Sequence, residues 1–240
     1  MTGHPSRGQH NLLARLIQRA AKRLDRHGAR LHDFLTSDLG APLPLHISLS
    51  RPLALDTARK DDYLDEVSLG IKARNTGCFA VVPTALVWHQ SPDSNRTFLV
   101  LRVASREARE DLIDPPGKKE NKNNNKKKKN QELAALLAAC NDVARRFDQP
   151  ALYSSGAGDS TGSGSGCVED AFHVSIGWTF GLASDDEAAV EALELFGDDE
   201  FREMQAWEIE VSGVKAKIGN VVTHVPLSSQ QLSKRSLFGI

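Results

Sequence analysis

Two tetrapeptides in this chain share one pattern, His-apolar-Ser-apolar: His46-Ile47-Ser48-Leu49 and His173-Val174-Ser175-Ile176. On a β-strand successive side chains point to opposite faces, so each tetrapeptide turns an imidazole and a hydroxyl to one side and two apolar residues into a core. An unperturbed imidazole titrates near neutral pH, which lets one histidine accept a proton while another donates one. The hydroxyls suit hydrogen bonding to non-bridging phosphoryl oxygens, whose charge in the transition state needs fixed donors. Two such pairs facing one cleft would carry phosphoryl transfer, with His46 and His173 as acid and base and Ser48 and Ser175 as phosphate-binding donors. No protein nucleophile is required; the attacker is a ribose 2′-hydroxyl, present only in RNA, or a water. A single His-x-Ser carries little weight, but two matched copies at equivalent places in two halves of a chain do.

The other histidines fit no ligand set. His4, His10, His27 and His32 lie in a polar N-terminal stretch, His89 and His224 lie near strand ends, and none is spaced from Cys, Asp or Glu as metal ligands are. Neither a metal nor a cofactor is expected. Cys78, Cys140 and Cys167 are odd in number and lack a C-x-x-C spacing, so they read as reduced thiols.

The elements that must position the two pairs follow from periodicity. Leu12, Leu13, Leu16, Ile17, Ala20, Ala21 and Leu24 recur every three to four residues and predict a helix over 9–26, ended near Gly28. Residues 45–49 form a short apolar strand between Pro44 and Arg51-Pro52. Thr57 is placed to cap a second helix running to about 72. The β-branched and aromatic runs 78–89 and 96–104 flank Gln90-Ser91-Pro92-Asp93-Ser94-Asn95 and predict a hairpin. A helix over 131–147 gathers Leu133, Leu136, Leu137, Cys140, Val143, Ala144 and Phe147 on one face. A strand over 171–180, an acidic helix over 185–196 and a closing hairpin, 206–217 with 220–227, complete the chain. The order α-β-α-β-β occurs twice, which is an α+β architecture of two similar halves, helices packed on largely antiparallel sheets.

With 240 residues, 40% apolar and 25% charged, the chain can close a real core. One domain is expected, with an N-terminal lobe over about 9–110 and a C-terminal lobe over about 131–227 that can exchange strands. Residues 117–130 and 154–166 read as disordered insertions and 228–240 as a tail. No stretch approaches the roughly 18 apolar residues of a membrane span, and residues 1–40 are cut by Arg and Lys too often for a signal peptide. An intracellular protein without a membrane partner is expected. The net charge of -1 hides an asymmetry: residues 1–60 hold ten basic against four acidic side chains, and residues 168–210 one against thirteen. One lobe is thus expected to be basic and one acidic. Nucleic-acid contact should be local rather than spread over a general basic surface.

In the residues that carry the motifs the chain resembles the two-histidine (2H) phosphoesterase superfamily, and within it the U6 small nuclear RNA 3′-end-processing phosphodiesterases. Leu45-His46-Ile47-Ser48-Leu49-Ser50, Arg96-Thr97-Phe98, Phe172-His173-Val174-Ser175-Ile176-Gly177-Trp178 and Lys217-Ile218-Gly219-Asn220 occur in family order, over about 43–227. Serine in both third positions, where many superfamily members have threonine, favours this branch over the 2′,5′-specific and tRNA-splicing branches. The resemblance implies a two-lobed 2H fold with pseudo-twofold related halves, antiparallel sheets lining a central cleft and helices outside. It implies a monomeric, nuclear, metal-independent 3′-to-5′ exoribonuclease that trims the oligo(U) or oligo(A) tail of U6 RNA. The penultimate 2′-hydroxyl attacks, the terminal nucleoside leaves, and a 2′,3′-cyclic phosphate remains, which some members open to a 3′-phosphate. His46 is assigned as base and His173 as acid, with the reverse order left open. Tyr153, in Pro150-Ala151-Leu152-Tyr153, matches the tyrosine that the family stacks on the terminal base.

Residues 1–8 offer no apolar run for the strand that precedes the family's first helix, which leaves the sheet a strand short. The lysine tract 118–129 suits a nuclear-import signal, an RNA tether or a solvated linker. Two other functions stay open: a 2H cyclic phosphodiesterase of other RNA ends or small cyclic nucleotides, and a non-catalytic RNA-binding protein that kept the fold.

Overall fold

The computed structural model describes residues 2–91, 94–106, 129–153, 168–183 and 186–228. The insertion 154–166, the lysine tract up to 128 and the tail from 229 lie outside the described residues. The chain gathers into two compact units, each drawn from three stretches: Met1–Ser48, Val81–Asn130 and Thr161–Ile209 in one, Leu49–Ala80, Gln131–Ser160 and Glu210–Ile240 in the other. Each half of the sequence therefore contributes to both units. The exchange between halves is extensive, and it puts His46-Ile47-Ser48 and His173-Val174-Ser175-Ile176 in the first unit.

The first unit is built on a sheet of β2 (His32–Asp33), β6 (His173–Phe180), β5 (Arg96–Ser105) and β4 (Phe79–Gln90), in that spatial order. The predicted hairpin is β4 and β5, with Trp88 opposite Leu99 and Leu86 opposite Leu101. One face carries Leu86, Trp88, Thr97, Leu99, Leu101, Val103, Val174, Ile176 and Thr179, all buried. Two polar members of that face bond to segments outside the sheet: the Trp88 indole N–H donates to the Ala189 carbonyl at 2.9 Å and the Thr97 hydroxyl to the Leu182 carbonyl at 2.9 Å.

Helix α1 (Arg7–Asp25) starts at a capping box, in which the Ser6 hydroxyl accepts from the Gln9 N–H at 3.3 Å and the Gln9 side chain accepts from the Ser6 N–H at 2.9 Å. Its buried stripe, Leu12, Leu13, Leu16, Ile17, Ala20 and Leu24, packs toward β6, the acidic helix Glu187–Glu194 and the 3-10 turns Asp199–Ala206. On its flank, Arg15 lies 3.5 Å from Glu200, and Arg19 lies 3.7 Å from Asp198, pairs with Glu200 and covers the Phe201 ring at 5.5 Å. The basic N-terminal stretch and the acidic stretch thus meet within one unit, and the expected division into a basic and an acidic lobe does not hold. Exposed pairs of this kind contribute about 1 kcal/mol or less each, so burial of the apolar stripe dominates.

In the second unit α2 (Lys60–Ala73) packs on α3 (Gln131–Arg146), where Gly70 leaves ordinary contact distance to Val143 and Ala139. Tyr63 meets Phe147 edge-on at 5.1 Å, and Arg59 covers Phe147 at 4.6 Å. Thr57 does not cap the helix: residues Thr57–Arg59 form a 3-10 turn ahead of it, and neither Asp56 nor Arg59, at the two N-cap positions, makes a side-chain cap. The closing hairpin is β8 (Gly213–Ile218) and β9 (Val221–Pro226), turned through Gly219 at φ +58. Its first strand is shorter than the predicted 206–217, because a separate strand, β7 (Ile209–Val211), precedes it.

Candidate active site

The first motif begins on β3 (Leu45–His46), a strand of two residues where five were expected. Its one strand neighbour is β1 (Thr2–Gly3), with Thr2 opposite His46 and Gly3 opposite Leu45. A strand does therefore precede the first helix. Periodicity missed it because two residues paired through the backbone need no apolar pattern.

The next residue decides the site. Ile47 forms an isolated antiparallel bridge with Val174, the central apolar residue of the second motif, and both are buried, at 4% and 6% exposure. Antiparallel register about that bridge sets His46 opposite Ser175 and Ser48 opposite His173, with the two histidines on a diagonal. Because side chains alternate, all four lie on the face away from Ile47 and Val174. Like any antiparallel bridge, this one has a local two-fold axis, which exchanges the two segments.

The two imidazoles are held differently. His173 is half-buried, and its Nδ1 lies 2.7 Å from the Ala171 carbonyl oxygen, which can only accept; the proton is on Nδ1 and the Nε2 lone pair is free. Burial pushes the His173 pKa down to about 4, against the raising effect of the Ala171 hydrogen bond, and the nearby His89, Arg102 and His46 lower it further. His46 is exposed as a residue, and desolvation lowers its pKa as well.

Two neighbours of His173 were not singled out from sequence. The His89 ring, on β4, lies 5.0 Å from the His173 ring at 40°, and its pKa is lowered by burial and then by Arg102. Arg102 stands directly opposite His173 in the β5–β6 ladder. Alternation along β5 sets Arg96, Phe98 and Arg102 on one face, but only the strand register brings that face to His173. His89 lies near the end of β4, as expected from the sequence, and its contact with His173 is made by the tertiary fold.

Tyr153 belongs to the second unit. Asn141 holds the turn before it, its amide donating to the Leu152 carbonyl at 2.9 Å and its oxygen accepting the Leu152 N–H at 2.8 Å. Tyr153 has φ +54, an unusual conformation for a bulky residue, and burial raises its phenol pKa to about 12. A cavity of about 210 Å³ lined by Ile71, Lys72, Asn75, Thr76 and Leu227 contains none of the four motif residues. Among the described residues no cluster of three or more His, Cys, Asp or Glu is arranged to hold a metal, and no helix is long and apolar enough to cross a membrane.

The family described as "HVSL: Uncharacterised conserved protein" matches residues 1–226. The chain belongs to the HVSL family. Beyond the HVSL match, it is 31% identical to U6 snRNA phosphodiesterase 1 of Neurospora crassa over 254 aligned positions, which take in 95% of this chain and 62% of the relative. The HVSL chain thus spans less than two thirds of that relative's length. Two solved structures share its fold. Kluyveromyces marxianus Usb1 superimposes with a TM-score of 0.58 at 16% identity, covering 95% of each chain. Kluyveromyces marxianus Usb1 with uridine monophosphate gives 0.60 at 17% identity, covering 95% of this chain and 96% of the other. The α+β class with antiparallel sheets is as expected from sequence, and the HVSL fold is that of these neighbours.

Proposed function

We propose that this chain is a 3′-to-5′ exoribonuclease that shortens the oligo(U) or oligo(A) tail of U6 small nuclear RNA by 2′-hydroxyl attack, leaving a 2′,3′-cyclic phosphate, and that it works in the nucleus. The observation that carries the reading is the Ile47–Val174 bridge, which gathers two imidazoles and two hydroxyls on one face. The name of the Neurospora crassa relative supports the substrate.

With Nδ1 committed to the Ala171 carbonyl and a depressed pKa, His173 is neutral at pH 7 with a free Nε2 acceptor, which suits the base that takes the 2′-hydroxyl proton. His46, the more exposed, is the better group to carry a proton and hand it to the leaving 5′-oxygen. This reverses the order assigned from the sequence. A bound phosphodiester anion raises the pKa of both rings and so protonates His46 as substrate enters. Ser48 and Ser175 donate to the non-bridging oxygens as charge builds there. Tyr153 is retained as the base-stacking residue on the strength of the resemblance.

The test is an oligouridylated RNA in which only the penultimate nucleotide is 2′-deoxy. Release of the last nucleotide should stop, while the unmodified RNA shortens and acquires a cyclic end. If water were the nucleophile, the deoxy substrate would lose only a hydrogen bond, about 0.5 to 1.5 kcal/mol or roughly tenfold, and near-normal cleavage would overturn the mechanism. Ring opening of a cyclic end without shortening would instead favour the cyclic phosphodiesterase.

A further inference from the structure

The sheet face that bears His173 and Ser175 continues beyond them. The β5–β6 register shifts between Leu99 and Val100, from Leu99 opposite Gly177 to Val100 opposite Ser175, leaving Ile176 as the extra residue of a bulge. Simple alternation would put Trp178 and Phe180 on the buried side. The bulge returns them to the face of His173 and Ser175, opposite Phe98 and Arg96. Trp178 stacks on His32 at 4.4 Å and 14°, meets Phe180 edge-on at 4.9 Å, and lies under the Arg96 guanidinium at 4.5 Å. Gly177 makes the His32 contact attainable, since a Cβ there would come within 2.9 Å of the His32 carbonyl oxygen.

This cluster is open. Phe180 is 55% exposed, with the exposed Arg96 guanidinium 5.7 Å from its ring centroid. Its charge suits a polyanion: among the described residues neither Arg96 nor Arg102 has a carboxylate partner, and no acidic residue of β4, β5 or β6 lies on that face. The five steps from His173 to Trp178 span about 16 Å at roughly 3.3 Å each, further than one nucleotide reaches.

We propose that the face from Arg102 to Phe180 is a track for single-stranded RNA 5′ of the scissile phosphate, where an upstream base stacks on Phe180 and Arg96 faces its phosphate. The assignment rests on the RNA-trimming reading above and extends it from the scissile bond to the body of the substrate. Sheet faces with exposed aromatics and arginines bind single strands in this sequence-tolerant way.

The test compares Phe180→Ser, Arg96→Gln and the double variant with the parent protein on diuridylate and on hexauridylate. Phe180 and Arg96 are surface side chains, so the variants should keep the parent's cooperative melt, whereas Trp178→Ala would also loosen the sheet. The KM for hexauridylate should rise about tenfold more than that for diuridylate, with little change in kcat, as expected for one lost stacking contact. Anisotropy of a labelled hexauridylate carrying a penultimate 2′-deoxy nucleotide gives binding apart from cleavage. If the parent cuts neither RNA but the variants weaken hexamer binding tenfold, the catalytic reading fails and the track stands. If the parent cuts both and the variants bind and cut the two lengths alike, the track is wrong and the catalytic reading stands; the patch then serves a protein partner or packing.

Discussion

His46 and His173 occupy the same place in the same tetrapeptide pattern, yet the protein treats them differently. His173 stands on an eight-residue strand, β6, flanked by β2 and β5, with Nδ1 tied to a backbone carbonyl. His46 ends a two-residue strand whose supports are Thr2–Gly3 on one side and a single bridge on the other. One imidazole is fixed by the core of its unit, and the other by an edge. The difference suits division of labour: a buried, tautomer-locked ring is a poised acceptor, while an exposed ring exchanges its proton with solvent between turnovers. Repetition of a motif therefore does not imply repetition of its environment.

The comparison breaks most sharply if the two rings are not one catalytic pair. His46→Ala and His173→Ala should each reduce kcat on an oligouridylated RNA by about 10²- to 10⁴-fold, with the double variant little worse than either, because acid and base serve one step. A complete loss at His173 beside a loss of a few-fold at His46 would show that His46 is not the acid. A smaller effect sharpens the contrast between edge and core. Proline at both Thr2 and Gly3 should disrupt the β1–β3 pairing and cut kcat by up to about a hundredfold through a displaced His46, while thermal stability and the Nδ1–H tautomer of His173, read by NMR, stay as in the parent. Equal disturbance of both histidines would mean that the edge strand supports the whole sheet.

The smallest effect is thermodynamic. The unfolded chain takes up a proton on His173 near pH 6.5, but the folded protein refuses it until about pH 4. Stability should therefore fall as pH drops through that window, and His173→Asn should flatten the fall of the melting temperature more than His46→Asn does. A parent whose melting temperature is level from pH 6.5 to 4 would show that His173 is not desolvated.

Much of this was readable from local chemistry. The apolar stripe of Leu12 to Leu24, the 131–147 helix face and the β4–β5 turn each depend on residues close in sequence, and the predicted bounds of α1, α3 and both hairpin strands agree with the structure to within about two residues. The candidate residues His46, Ser48, His173 and Ser175 were likewise visible, because alternation on a strand is local. The boundaries of the units were not, since strands exchange between distant stretches; nor was β1, whose pairing is made by backbone alone. Lys129 and Asn130, taken with the lysine tract as insertion, are built in: Lys129 pairs with Asp170 at 2.8 Å, and buried Asn130 donates to the Val103 carbonyl at 3.0 Å.

By itself the sequence determined which side chains can do chemistry and which helices and strands carry them, for those properties are set within a few residues of chain. Tertiary structure alone decided that Ile47 meets Val174, that His89 and Arg102 stand beside His173, and that a one-residue bulge at Ile176 turns Trp178 and Phe180 onto the same face. Each of these is a matter of register between segments far apart in the chain, where a shift of one residue reverses every side chain, and register is chosen by the packing of the whole unit.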